Sequence, residues 1–146
     1  MKIRLTAWPV AQREALENMI ETNKNTGAFA VFDADNTIWK DDLTEALLAY
    51  YDCKDVIRTT DLSDDRLPVP ATVDETLYGY YERLCKMDHS IGYLWSAQIF
   101  AGFTVGELAS HVDAVMSGPD NYVVAVGSGL EVHDVAVPKP RIFPAQ

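Results

Sequence analysis

The stretch Phe29 to Thr37, FAVFDADNT, constrains this chain more than any other. A short apolar run, Phe29 to Phe32, stops at two carboxylates, Asp33 and Asp35, one residue apart. Such a run predicts a buried strand, and the polar cluster then sits where the strand emerges. Open α/β sheets bind their ligands at that edge. Acids at i and i+2 of an extended chain point the same way, and they repel one another unless a cation or a shared proton intervenes. The local chemistry therefore predicts a magnesium site with a carboxylate free to attack. An ordinary turn rich in Asp and Asn would use the same residues, so D-x-D alone does not decide the matter.

A chain of 146 residues, 48% of them hydrophobic, is long enough for one real core and predicts one domain. A formal net charge of -10 argues against nucleic acid or an anionic membrane as partner and suits cations or cationic groups. Cys53 and Cys85 are too few for a disulfide framework; one bridge would be possible, but two reduced, partly buried thiols are expected. No apolar run reaches transmembrane length. The opening residues, Met1 to Leu5, lack the long apolar region of a secretory signal, which predicts a cytoplasmic chain as given.

Along the chain, Trp8 and Pro9 open a first helix, with Ala11, Ala15, Leu16, Met19 and Ile20 at helical spacing and a stop at Asn23 to Gly27. After Thr37, Asp41 or Asp42 caps a second helix whose apolar face is Leu43, Ala46, Leu47 and Tyr50. Glu45 lies one turn in and reads first as a solvated surface residue. Asp52 to Ala71 reads as loop, and its Asp64-Asp65 pair as solvated acid. Thr72 to Glu75 has the pattern of a capping box, which starts a helix striped by Val73, Leu77, Tyr81 and Leu84, with Tyr78 and Tyr80 on other faces. Gly79 in that helix suggests close packing. Ser90 to Ala101 is apolar nearly all round and predicts a buried helix. Thr104 to Glu107 is a second capping box, followed by Val105, Leu108, Val112 and Val115 on one face and a stop at Ser117 to Pro119. Two β-rich runs, Tyr122 to Val126 and Val132 to Val137, flank Gly127-Ser128-Gly129 and predict a hairpin. The histidines, His89, His111 and His133, show no ligand spacing.

The pattern of apolar strand, D-x-D-x-T, tryptophan and acidic helix start resembles motif I of the haloacid dehalogenase superfamily of phosphotransferases. Further pieces are similar to its phosphorylcholine phosphatase-like branch. They are the Trp8-Pro9 helix, Asp42-Leu43-x-Glu45-Ala46-Leu47-Leu48, Tyr80-Tyr81-x-Arg83-Leu84-Cys85 and Tyr93-x-Trp95-x-Ala97-Gln98-x-Phe100-x-Gly102-Phe103-Thr104. The last is Val135-x-Val137-Pro138-x-Pro140-Arg141-Ile142-Phe143. The resemblance implies an α/β fold: a Rossmann-like core fragment with one motif I strand, a mainly helical cap and a C-terminal β-hairpin. Residues 1–40 would be the first part of the core, 41–134 the cap with the hairpin, and 135–146 the return toward the rest of the core. It implies that Asp33 is a nucleophile forming an aspartyl-phosphate and that Asp35 is the general acid/base. Thr37 would orient both, and Mg2+ would sit on Asp33 and Asp35. Trp39, Glu45, Tyr81, Asp88 and Trp95 would surround a small phosphomonoester, phosphocholine-like in its cationic head. Related phosphatases can be exported.

Two departures qualify this. The superfamily also uses a Ser or Thr on a second strand, a Lys and further acids. Ser128 reads as a hairpin turn and Lys139 as a loop lysine, so the chain is expected to be truncated after motif I and the cap. Lys86 and His89 lie where choline-phosphate relatives carry a more acidic cluster. The alternative is a non-catalytic remnant that binds a ligand or partner, with an exposed sheet edge inviting self-association. A phosphoacceptor receiver domain would need strands and helices in alternation, against the helix run from Asp41 to Met116.

Overall fold

The structure, a computed structural model, describes residues 8–127 and 131–143. Its contacts divide the chain into two compact units, Met1–Phe32 and Asp33–Gln146.

In the first unit, helix α1 (Val10–Asn23) begins after Pro9, whose ring needs no N–H partner at a helix start. It closes through the Asn23 side-chain amide, which donates to the Met19 carbonyl at 2.8 Å. The apolar stripe is only weakly used: Leu16 and Ile20 are half-buried and no residue of α1 is fully buried. The turn that follows places Asn25 and Gly27 at positive φ, 61° and 80°. The buried strand expected at Phe29 to Phe32 is not formed. Phe29 is 89% exposed, Val31 84% and Phe32 68%, and no described residue pairs with them. Strand propensity supplies the residues, but burial and a ladder require neighbouring strands.

The second unit holds the core. Strand β1 (Trp39–Lys40) leads into helix α2 (Leu43–Lys54), capped by Asp42, whose carboxylate accepts the Glu45 N–H at 3.0 Å. Ala46, Leu47, Leu48, Ala49 and Tyr51 of α2 are buried. Helix α3 (Leu77–Met87) crosses α2 and brings Leu77, Tyr80, Tyr81 and Leu84 into the same core. Tyr78 and Tyr80, which lie off the Val73–Leu84 stripe, are buried as well.

The start of α3 differs from expectation. Thr72 and Glu75 do form a reciprocal turn, with the Glu75 carboxylate accepting the Thr72 N–H at 2.9 Å. The helix begins four residues later, at Thr76, because two distant groups hold its first turn. Asp52 of α2 accepts the N–H groups of Leu77 and Tyr78 at 2.8 and 2.9 Å. Thr76 Oγ1 accepts from Gly79 N at 3.0 Å and donates to the Ala125 carbonyl at 2.6 Å. Val73 is left outside, 87% exposed. Glu75, buried, also pairs with Arg83 at 2.7 Å.

Helix α4 (His89–Gln98) follows α3 directly, and Asp88 caps the junction. Gly92 sits so close to Cys85 that a Cβ there would collide with its sulfur. This helix is not buried all round: Trp95 is buried, but Tyr93 and Leu94 are 58% and 67% exposed. Helix α5 (Val105–Ser117) has the expected capping box, Thr104 with Glu107. It buries Val115, whereas Val105 is exposed.

Strands β2 (Asn121–Val126) and β3 (His133–Pro138) form the antiparallel hairpin, with Val124 opposite Val135. Alternation sends Tyr122, Val124 and Val126 inward against α2 and α3. Ser128 and Gly129, expected to form the hairpin turn, lie outside the described residues. Lys139 donates from Nζ to the Gly118 carbonyl at 2.7 Å, which satisfies the end of α5. Strand β4 (Arg141–Ile142) then pairs with β1, Trp39 opposite Ile142. Among the described residues no helix is long and apolar enough to cross a membrane.

Candidate functional site

The segment from Asp33 to Leu43 is a tight turn built on one carbonyl. Ala34 O accepts the N–H groups of Thr37, Ile38 and Trp39 at 3.2, 2.8 and 3.2 Å. Asn36 sits at φ 55°, in the left-handed region that Asn tolerates better than most residues. Its Oδ1 accepts the Asp41 N–H at 3.2 Å. Arg141 Nη2 stands 3.5 Å from Asp41 Oδ2 as the chain returns through β4.

Within this turn the two aspartates are held differently. Asp33 is exposed, and its only hydrogen bond among the described residues is a long one, 3.4 Å from Thr37 Oγ1 to Oδ2. Asp35 is half-buried and firmly held: Trp39 Nε1 donates to Oδ1 at 2.7 Å and Leu43 N donates to the same oxygen at 3.0 Å. Thr37 thus reaches Asp33, while Asp35 is oriented by an indole and by the first N–H of α2.

Negative charge accumulates beside the turn. Burial raises the Asp42 carboxyl above the usual range, and the charges of Asp35 and Asp33 add to the effect. Glu45 is pushed up to about 7, first by burial and then by Asp42, Glu82 and Asp35. It is half-buried, not a solvated surface acid, and accepts a 3.4 Å hydrogen bond from the Tyr81 hydroxyl. Burial, reinforced by Glu45, raises the phenols of Tyr81 and Tyr78.

The structure brings Asp33, Asp35, Thr37 and Trp39 together on one turn, with Glu45 and Tyr81 linked to them through that charge cluster. The other two expected residues have different surroundings. Asp88 is engaged at the α3–α4 junction, where it accepts from Ser90 N and Ser90 Oγ at 2.8 and 2.6 Å. Trp95 is 2% exposed, packs on Tyr80 at 4.8 Å between centroids, and donates from Nε1 to the Arg66 carbonyl at 3.0 Å. His111 bonds the Tyr51 hydroxyl at 2.8 Å, and both cysteines are free thiols. Sequence reading gave Asn36 no positioning role and Asp42 only that of a cap. Asn36 carried a usable signal, an Asn at the end of D-x-D where a left-handed residue is needed.

Among the described residues no three acidic, histidine or cysteine side chains converge as a set that could hold a metal ion. The turn does offer hard oxygens: the second oxygen of Asp33 and the Asp35 carbonyl accept no hydrogen bond from any described residue. An open pocket of about 360 Å3 lies elsewhere, lined by Asp52, Arg58, Thr59 and Glu75 among others, and none of the expected site residues borders it.

No protein-family model matches the chain. It is similar to the phosphorylcholine phosphatase of Pseudomonas aeruginosa, with 39% identity over 147 aligned positions. The alignment takes in 97% of this chain and 42% of that relative, so the chain spans less than half the relative's length.

Proposed function

We propose that this chain carries the nucleophile turn and helical cap of a phosphoric monoester hydrolase of the haloacid dehalogenase type. The observation that carries the reading is the 39% identity to a phosphorylcholine phosphatase over 97% of the chain. In this reading, residues 1–40 are the first part of a Rossmann-like core, 41–134 the cap, and 135–146 the return toward the core. The substrate is a small phosphomonoester, phosphocholine-like in its cationic head.

Asp33 is the nucleophile. Its exposed carboxylate attacks phosphorus, and the bond to the leaving oxygen breaks. Asp35 gives that oxygen a proton, and the alcohol departs. Water then attacks the phosphorus of the aspartyl-phosphate, losing a proton to Asp35; the bond from phosphorus to the Asp33 oxygen breaks, and inorganic phosphate leaves. Mg2+ suits the donor type on offer, because it binds through one or two carboxylate or carbonyl oxygens and keeps waters and phosphate for the remainder. The Asp33 carboxylate and the Asp35 carbonyl would hold it, and it would supply neutralisation of phosphoryl charge. With magnesium present, the parent protein should release inorganic phosphate from phosphorylcholine, and Asp33→Asn should release none. Turnover by that variant would remove Asp33 as nucleophile.

A second reading, a ligand- or partner-binding chain without turnover, is favoured by the exposure of Phe29 to Phe32. Unpartnered apolar surface of this kind also favours self-association. Its signature would be binding of a quaternary ammonium ligand, equal in the parent and in Asp33→Asn, with no phosphate released.

A further inference from the structure

We propose that Trp39 is a positioning residue for Asp35, fixing which carboxylate oxygen meets the leaving group, rather than an aromatic wall for a cationic head. The inference rests on the acid/base role given to Asp35 above. A carboxylate oxygen has two in-plane acceptor sites. On Asp35 Oδ1 both are occupied, by Trp39 Nε1–H at 2.7 Å and by Leu43 N–H at 3.0 Å. Oδ2 accepts nothing from the described residues and is the oxygen left to exchange a proton with the leaving alkoxide. The 2.7 Å contact has the length of a charge-assisted hydrogen bond.

Both donors are held by contacts other than their bonds to Asp35. Trp39 lies in β1, paired with Ile142 of β4, and its own N–H is tied to Ala34 O at 3.2 Å. Leu43 N is the first amide of α2, an end that favours negative charge. The carboxylate therefore cannot rotate about its bond without breaking two hydrogen bonds. Such fixing matters because a catalytic acid acts only within hydrogen-bond reach of its target.

The test compares kcat/KM for three substrates. Glycerol phosphate has a poor leaving group and no cationic head. Phosphorylcholine has a poor leaving group and a cationic head. p-Nitrophenyl phosphate has a leaving group that departs without a proton. Trp39→Phe keeps an aromatic ring and removes the N–H. It should lower kcat/KM roughly tenfold on the first two and less than about twofold on the third, a loss smaller than the whole share of general acid catalysis. Leu43→Pro removes the second donor at a first-turn position that accepts proline, after an extended Asp42 that suits a following proline. It should give the same pattern, and it keeps the test open if Trp39→Phe does not fold. Loss confined to phosphorylcholine would make Trp39 a wall for the cation and overturn the assignment. Equal loss on all three substrates would overturn it too. A parent protein inactive on all three would overturn the hydrolase reading itself, and the role of Trp39 with it.

Discussion

Glu45 carries a pH signature that can be worked from its surroundings. Its carboxyl is raised from 4.5 to about 7, by burial first and then by the charges of Asp42, Glu82 and Asp35. The unfolded chain gives up this proton near 4.5, so between there and about 7 the native state binds the extra proton. Stability then falls as pH rises. The contribution is fully present below the unfolded value and is lost as pH passes through the folded one. A rise from 4.5 to about 7, at about 1.36 kcal/mol per pH unit, bounds the effect at roughly 3 kcal/mol. Glu45 keeps some contact with water, so screening reduces this to about 2 kcal/mol. Glu45→Gln retains an acceptor for the Tyr81 hydroxyl but cannot ionise. Urea titrations should find the variant within about 0.5 kcal/mol of the parent near pH 5 and about 2 kcal/mol more stable near pH 8. Asp52, raised by burial to about 6, titrates in both proteins and cancels in the difference. A variant-to-parent difference that is the same at both pH values would refute the argument and put Glu45 in water.

Two packing details give further tests. Thr76→Ala should cost about 1 to 2 kcal/mol in thermal or urea unfolding, because it removes both the cap on Gly79 N and the bond to Ala125 O. Thr72→Ala should stay within about 0.5 kcal/mol, since α3 does not begin there. Gly92→Ala should cost about 1 to 3 kcal/mol, because its methyl would meet the Cys85 sulfur of α3. Part of that loss should return when Cys85→Ala is added, a coupling that a double-mutant cycle measures.

What could be read from the sequence follows a physical division. Helix α1, the Asp42 cap, the Thr104–Glu107 box and the hairpin all rest on neighbours in sequence, and each formed where local pattern placed it. The start of α3 was misplaced because Thr72–Glu75 makes the local bond. The decisive partners, Asp52 and the Ala125 carbonyl, lie 25 and 49 positions away from the groups they bind. The strand at Phe29 to Phe32 failed for a related reason, since burial belongs to neighbours and not to composition. Helix α4 shows the converse: an apolar surface all round does not secure partners all round, and Tyr93 and Leu94 face solvent. At the site, D-x-D-x-T picked out the right residues but as the end of an extended strand, whereas three N–H groups close on Ala34 O and make a turn of them. Spacing could not reveal that Trp39 presents its N–H to Asp35, or that Glu45 turns into the α2–α3 seam.

The pairing of β1 with β4 joins residues about a hundred positions apart in a ladder of only two residue pairs. Everything from Asp41 to Pro140 therefore leaves and re-enters through one narrow doorway. Neighbouring strands lie roughly 5 Å apart, so a host chain needs to open by little more than the width of one strand to accept the whole segment. Insertions and deletions within it would leave the spacing at the doorway unchanged, as in domains whose termini lie close together. The two ends of the segment are thus held together by two short strands alone.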